Sequence, residues 1–119
     1  MEIKYIYELI ALNKAFTFLR FECREYEVQY ITGSPLIKDI HLEVMDNLRE
    51  LYKKDNIVMS NDFGFIEDND VYLQTIITTI KNITSWTKLS EHLKKDHVNN
   101  LISPYKIKGD TLKYLINYT

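Results

Sequence analysis

The sequence predicts a mainly α, single compact domain that spans residues 1–119. We expect about five helices and a possible small β-hairpin near 57–66. Apolar residues recur at helical spacing in several separate segments. The chain contains only three glycines and two prolines, too few for a loop-rich or all-β fold. Its 119 residues and 45% hydrophobic content suit one globular domain.

The N-terminal third of the chain predicts one helix and leaves one segment open. Residues 3–21 carry a broad apolar stripe at helical spacing, so this helix should be well buried. In residues 22–32, Tyr26, Val28 and Tyr30 alternate with polar residues, as in a strand. The same stretch could equally extend the helix.

The clearest helix of the sequence spans residues 35–54. Ser34 is a preferred N-cap residue, and Pro35 suits the first helical position. Lys53 and Lys54 suit the negative end of the helix dipole at the C-terminus.

After this helix, the spacing of the apolar residues is no longer helical. Two short apolar runs within 57–66 flank Ser60-Asn61-Asp62, which predicts a hairpin. Acidic residues at 67, 68 and 70 then predict the start of a helix over 69–82, because carboxylates are favoured at a helix N-terminus.

Two further helices are predicted to close the domain. The first begins at Ser85 or the residue before it, and its apolar stripe contains Trp86, Leu89 and Leu93. The chain leaves this helix through residues 98–102. Ser103-Pro104 then starts the last helix, repeating the pattern of Ser34-Pro35. Trp86 should be buried against the 69–82 helix and the last helix.

Several classes of function are not expected. Cys23 is the single cysteine, so neither an internal disulfide nor a cysteine-based zinc site can form, and a reducing cytoplasmic location is predicted. His92 and His97 do not share a helical face, so no metal or cofactor is expected. The sequence has no phosphate-binding loop and no nucleophile elbow, which favours a non-enzyme. No apolar segment suggests a membrane partner.

The charge is unevenly distributed along the chain. Residues 1–80 carry 8 Lys/Arg against 14 Asp/Glu, a net charge of −6. Residues 81–119 carry 7 Lys against 3 acids, a net charge of +4. An acidic body with a basic end suggests that the basic end binds an anionic partner.

One segment resembles winged-helix DNA-binding domains. The pattern is Val44…Leu48…Leu51…Lys53-Lys54…Ile57…Phe63-Gly64-Phe65-Ile66. The resemblance covers residues 24–67. It implies that the 35–54 helix is a recognition helix and that 57–66 forms the wing.

A second segment, residues 85–118, resembles a helix-turn-helix whose last helix reads DNA. This resemblance agrees with the positive charge, because a phosphate-facing surface needs cations. The first hypothesis is therefore a small DNA-binding regulator of transcription, with a homodimer as a possible form. The residues predicted to contact DNA are Lys94, Lys95, Ser103, Tyr105, Lys106, Lys108 and Lys113.

The alternative hypothesis is a small acidic protein–protein interaction module. It would bind a basic protein partner through an acidic face that contains Glu43, Asp46 and Glu50. Compact acidic inhibitors and adaptors of viral or phage type fit this description by analogy. The two hypotheses place the interaction at opposite ends of the molecule.

Overall fold

The computed structural model describes residues 5–60 and 62–119 and confirms a mainly α fold for this part of the chain. The molecule is elongated, with principal extents of 48 × 28 × 23 Å. No helix among these residues is long and apolar enough to cross a membrane. The helices are α1 (Ile6–Thr17), α2 (Tyr26–Thr32), α3 (Pro35–Lys54), α4 (Asp70–Lys81), α5 (Glu91–Ile102) and α6 (Gly109–Ile116).

The first helix ends in a wide turn. A π-helical turn over Phe18–Glu22 follows α1, and the Cys23 N–H donates to the Phe18 carbonyl at 2.8 Å. The predicted 3–21 helix is thus confirmed over the described residues, while its predicted start at Ile3 lies outside them. The wide turn directs the side chains of both Arg20 and Phe21 into the interior.

The structure resolves the ambiguous segment after this turn as helical. The residues that alternate like a strand belong to α2. The next helix, α3, has the predicted bounds. Its predicted N-cap is also confirmed, because the Ser34 hydroxyl accepts a hydrogen bond from the Leu36 N–H at 3.2 Å.

The predicted hairpin at 57–66 is wrong, since the described residues contain no β-strand. Gly64 has φ +79°, a conformation that favours glycine, and it turns the chain into a short 3₁₀ turn at Ile66–Asp68. Ile66 is fully buried in the core. This segment therefore pairs with a distant one: Ile66 N–H donates to the Lys106 carbonyl at 2.8 Å, and Lys106 N–H donates to the Gly64 carbonyl at 2.9 Å.

The predicted 69–82 helix is confirmed as α4. Asn69 is its N-cap, and the Asn69 side-chain oxygen accepts from the Tyr72 N–H at 3.1 Å. Ile76 and Ile80 on its inner face are buried.

The predicted bounds of the two closing helices are wrong. Trp86 lies in a 3₁₀ turn, and α5 begins after Ser90, whose hydroxyl accepts from the Leu93 N–H at 3.2 Å. Leu93 is 52% exposed and is not part of the inner face. The helix instead continues through residues 98–102, because Val98 and Ile102 are buried there.

The last helix begins at Gly109 rather than at Pro104. Residues 103–105 form a turn after α5, and the bridge between Lys106 and Phe65 then holds the chain beside the 64–66 segment. Gly109 is thus the first residue of α6 and does not interrupt its interior.

Two apolar clusters divide the molecule. The larger one, here called the C-terminal core, contains Trp86, which is 2% exposed and whose indole N–H donates to the Leu115 carbonyl at 2.8 Å. The predicted burial of Trp86 is confirmed. In the smaller cluster, the N-terminal helix pair, α1 and α3 bury Leu9, Val44 and Leu48. The buried residues of the C-terminal core, the larger cluster, are Phe21, Ile66, Ile76, Ile80, Trp86, Val98, Leu101, Ile102 and Leu115.

A buried polar group joins the two clusters. Arg20 donates to the His41 Nδ1 at 2.9 Å and to the carbonyls of Asn100, Leu101 and Ser103 at 3.2, 3.3 and 2.7 Å. Because arginine only donates, the His41 Nδ1 must accept, and its Nε2–H donates to the Asn13 side-chain oxygen at 2.8 Å. Burial, and secondly the nearby Arg20 charge, lower the pKa of His41 to about 3. His41 is therefore neutral at pH 7.

Candidate functional site

The lysines of α5 that were predicted to contact DNA also make contacts within the molecule. Lys94 donates to the Ile116 carbonyl at 2.8 Å, and its ammonium lies 5.8 Å from the centre of the Trp86 ring. Lys94 thus ties α5 to the C-terminal end of α6. Lys95 pairs with Glu91 one turn earlier, with 3.3 Å between the charged atoms.

The predicted positions of Lys106 and Lys108 need correction, because both precede the last helix. The Lys106 ammonium lies 3.3 Å from an Asp62 carboxylate oxygen. A hydrogen bond from the Gly64 N–H, and secondly the Lys106 ammonium, lower the pKa of Asp62. The ammonium groups of Lys106 and Lys108 lie 5.4 and 5.7 Å from the centre of the Phe65 ring. These two lysines lie around one loop whose charge is mixed, because Asp62 pairs with Lys106 and the Glu67 carboxylate accepts from the Lys108 N–H.

The predictions that Ser103 caps the last helix and that Tyr105 projects from it are wrong, because both residues precede α6. The Ser103 hydroxyl donates to the Asn99 carbonyl at 2.7 Å, at the end of α5. The half-buried Tyr105 ring packs edge-to-face on Phe21, with 5.2 Å between ring centres, and also contacts Tyr72. Burial is the main cause that raises the pKa of Tyr105. The Ser103 hydroxyl and the Tyr105 ring therefore both make contacts within the domain.

The structure does bring three of the predicted lysines together. Lys94, Lys95 and Lys113 line one open hollow of about 670 Å³ between α5 and α6. Glu91 and Asp110 line the same hollow, so its charge is mixed. Lys113 is exposed and makes no ion pair within residues 5–60 and 62–119.

The predicted acidic residues of α3 lie on one exposed helix face. Glu43, Asp46 and Glu50 are all exposed, and Asp39 extends their line by one turn. We call these four residues the acidic stripe. Asp39 pairs with Lys38 at 3.1 Å and Asp46 with Arg49 at 2.7 Å. In the described part of the chain, Glu43 and Glu50 make no ion pair.

A further cavity was not predicted from the sequence. A groove of about 330 Å³ lies between α2 and the segment that joins α4 to α5. We call it the aromatic groove. Tyr26 and Tyr30 are one helical turn apart, so they share one face of α2. Their spacing could indicate this shared face only once the segment was known to be helical. The groove is lined by Tyr26, Gln29, Tyr30, Gly33, Thr79, Asn82, Ile83, Thr84, Ser85 and His97.

Metal-binding and redox features are also defined by the structure. Within the described residues, no group of three or more His, Cys, Asp or Glu side chains is placed to hold a metal ion. The His97 ring packs edge-to-face on Trp86, with 6.0 Å between ring centres, and burial lowers its pKa. Cys23 is a half-buried free thiol.

Comparisons with known proteins add no relative to this description. No protein-family model, curated protein or solved structure matches the chain. The candidate functional features of the molecule are the acidic stripe, the lysines of the C-terminal third and the aromatic groove.

Proposed function

We propose that this chain is a small non-enzymatic protein–protein interaction module that binds a basic partner through the acidic stripe of α3. The supporting observation is the placement of four exposed carboxylates along one face of a 20-residue helix. Asp39 and Glu50 are eleven residues apart, which corresponds to about 16 Å along the helix axis. A basic helix or groove of a partner could contact the whole length of this line.

The opposite face of α3 supports the proposal, because it holds the helix in place. Val44 and Leu48 are buried against α1, and His41 is fixed by Arg20 at the junction with the C-terminal core. A surface that is already rigid loses little conformational freedom when it binds. The acidic stripe is therefore preorganised for a partner.

The ion pairs within the stripe indicate which carboxylates contribute most. Asp39 and Asp46 are each neutralised in part by a neighbouring cation. Glu43 and Glu50 have no cationic partner among the described residues, so they should dominate attraction to a basic surface. Charged surfaces of this kind raise association rates and give specificity, and their effect weakens as salt rises.

The test is a charge-reversal variant, Glu43→Lys/Glu50→Lys, used as bait in an extract of the source cells. The matched control is Glu8→Lys/Glu27→Lys, which makes the same charge change at exposed positions on α1 and α2. We expect the wild type and the control to recover the same basic partner, and the α3 variant to lose it. The affinity for the purified partner should fall at least about tenfold, as expected for close charge pairs.

Two results would contradict this proposal. One is equal recovery of the partner by the α3 variant and the control. The other is the absence of any basic partner in the wild-type sample at low salt. Circular dichroism of both variants shows whether each keeps the helical content of the wild type.

DNA binding is a second candidate function, favoured by the hollow that Lys94, Lys95 and Lys113 line together. Exposed lysines tolerate substitution, so Lys95→Ala/Lys108→Ala/Lys113→Ala should fold normally. If the basic end binds duplex DNA, this variant should bind more weakly. Its affinity should also depend less on salt, by roughly 0.9 in the log–log slope for each phosphate that a lysine no longer neutralises. A gel shift at about 50 mM salt that shows no wild-type binding would exclude this candidate.

A further inference from the structure

The aromatic groove has an exposed rim and a buried base. Tyr30 is 70% exposed and Tyr26 is nearly half exposed, whereas Gln29 and Thr79 are buried. The buried residues therefore form the base, and the tyrosines form one side of the opening. A volume of about 330 Å³ is at the lower end of the range for small-molecule sites, so the groove suits a ligand of one or two rings.

The two tyrosines of the rim hold each other in position. Their rings are edge-to-face with 5.1 Å between centres, and their hydroxyl oxygens are 2.5 Å apart. The edge-to-face contact covers one face of one ring, and the remaining exposed aromatic surface of the pair is available to another group. A planar ligand gains by packing on such a face, which needs little reordering of the protein.

The base of the groove contains a hydrogen-bond donor without an acceptor. Gln29 is only 7% exposed, and its side-chain oxygen accepts from the Asn82 amide at 2.7 Å. Its side-chain nitrogen, Nε2, has no acceptor in the described part of the chain. Buried polar groups are nearly always paired, and leaving one unpaired is costly. The nitrogen is shielded from solvent, so a ligand carbonyl oxygen would supply the missing acceptor after a small rotation of the Gln29 side chain towards the groove.

Gly33 keeps the His97 side of the groove open. A Cβ atom at position 33 would lie 3.6 Å from the His97 Cε1 and 4.0 Å from its Nε2. Any larger side chain at this position would therefore occupy the space beside the imidazole. A neutral imidazole offers one donor and one acceptor to a polar ligand.

The groove also selects against charge. None of its ten lining residues is an acid, a lysine or an arginine. Burial disfavours the charged form of His97. A charged ligand would lose its hydration there without gaining an opposite charge.

We propose that the aromatic groove binds a small, neutral, planar ligand with a carbonyl group. The ring of this ligand packs against Tyr26 and Tyr30, and its carbonyl oxygen accepts from the Gln29 amide nitrogen. Aromatic amides and lactam rings have this chemistry. The site is separate from the acidic stripe and does not depend on the function proposed for that stripe.

Benzamide and benzoate provide a matched pair of probes, because they share one shape and differ in charge. Trp86 is the single tryptophan and contacts His97, so its fluorescence and its indole N–H signal report on the groove. We expect a saturable titration with benzamide and at least about tenfold weaker binding of benzoate, since the groove offers no cation to replace lost hydration.

Two groove variants and one control complete the test. Tyr30→Ala should weaken benzamide binding about fivefold or more by removing the aromatic face. Gln29→Leu should also weaken it, by removing the donor. Tyr114→Ala, a change of the same kind at an exposed position outside the groove, should bind like the wild type.

Three results would overturn the proposal. These are no wild-type titration up to the solubility limit of benzamide, equal binding of benzoate, or an unchanged titration for Tyr30→Ala. If Gln29→Leu fails to fold, two measurements still test the proposal. These are the comparison of benzamide with benzoate on the wild type and the benzamide titration of Tyr30→Ala.

Discussion

The C-terminal core and the N-terminal helix pair contain similar apolar residues but bury them to different extents. In the core, several elements surround Trp86, which is almost completely enclosed. In the pair, only α1 and α3 face each other, and Tyr7 on the outer side of α1 is 81% exposed. A helix that contacts one neighbour can bury only one stripe of side chains. Burial here depends on the number of neighbouring elements more than on composition.

The junction between the two regions is polar. Arg20 reaches α3 through His41 and the end of α5 through three carbonyls. Hydrogen bonds are directional, so this group fixes how the helix pair is oriented on the core. Apolar contacts alone would permit several orientations.

The largest effect is expected in the core. Trp86→Ala should lower the free energy of unfolding by about 3–5 kcal/mol, because it creates a cavity and removes the indole hydrogen bond to the Leu115 carbonyl. Urea denaturation would measure this loss. Tyr114→Ala, at a half-exposed position on α6, is the control and should change stability by less than about 1 kcal/mol. A similar loss for the two variants would contradict the description of Trp86 as the centre of the core.

A smaller effect is expected in the helix pair. Leu9→Ala should cost about 2–3 kcal/mol, at the low end for such changes, because only one neighbouring helix has to adjust. Hydrogen exchange should show α1 losing protection while α4 and α5 keep theirs, if the pair can open locally. Equal loss of protection in all these helices would show that the two regions unfold as one unit.

The smallest effect concerns pH and tests the junction. The pKa of His41 is about 3 in the folded protein, against 6.5 as its ordinary value. Between these values the unfolded chain binds a proton that the folded chain does not, so the stabilisation is fully present above pH 6.5 and falls as the pH decreases towards 3. His97, whose pKa is also lowered, acts in the same direction. We expect a loss of about 1–2 kcal/mol between pH 7 and pH 5.5.

Denaturation at a series of pH values would measure this dependence. His92→Gln, at an exposed position, should leave the slope unchanged. His41→Gln should reduce the slope even if the variant is less stable overall. A stability that stays constant from pH 7 to pH 5 would contradict the neutral, buried state of His41.

The helices that the sequence predicted correctly are those with local signals. Ser34 and Pro35 specify the start of α3 without help from the rest of the chain. The predicted bounds of the C-terminal helices were wrong because more than one serine in this region resembles an N-cap. Packing decides between them: Trp86 must enter the core, so the chain turns at this residue and the helix starts after Ser90.

The same distinction applies to the candidate sites. Glu43, Asp46 and Glu50 were predicted to share a face because they lie within one helix. The contacts of the lysines could not be predicted, since Lys106 pairs with Asp62, which is far away in the sequence. The aromatic groove combines residues from α2 with His97, and nothing local in the sequence brings these together.

The wide turn at Phe18–Glu22 restricts how the length of the chain can vary. Each residue of an α-helix adds about 100° of rotation, so removing one residue here would rotate Leu9 away from α3 while Arg20 stayed at His41. An insertion of one residue would cause the opposite rotation. We therefore expect this stretch to accept substitutions on its exposed side but to tolerate neither insertions nor deletions.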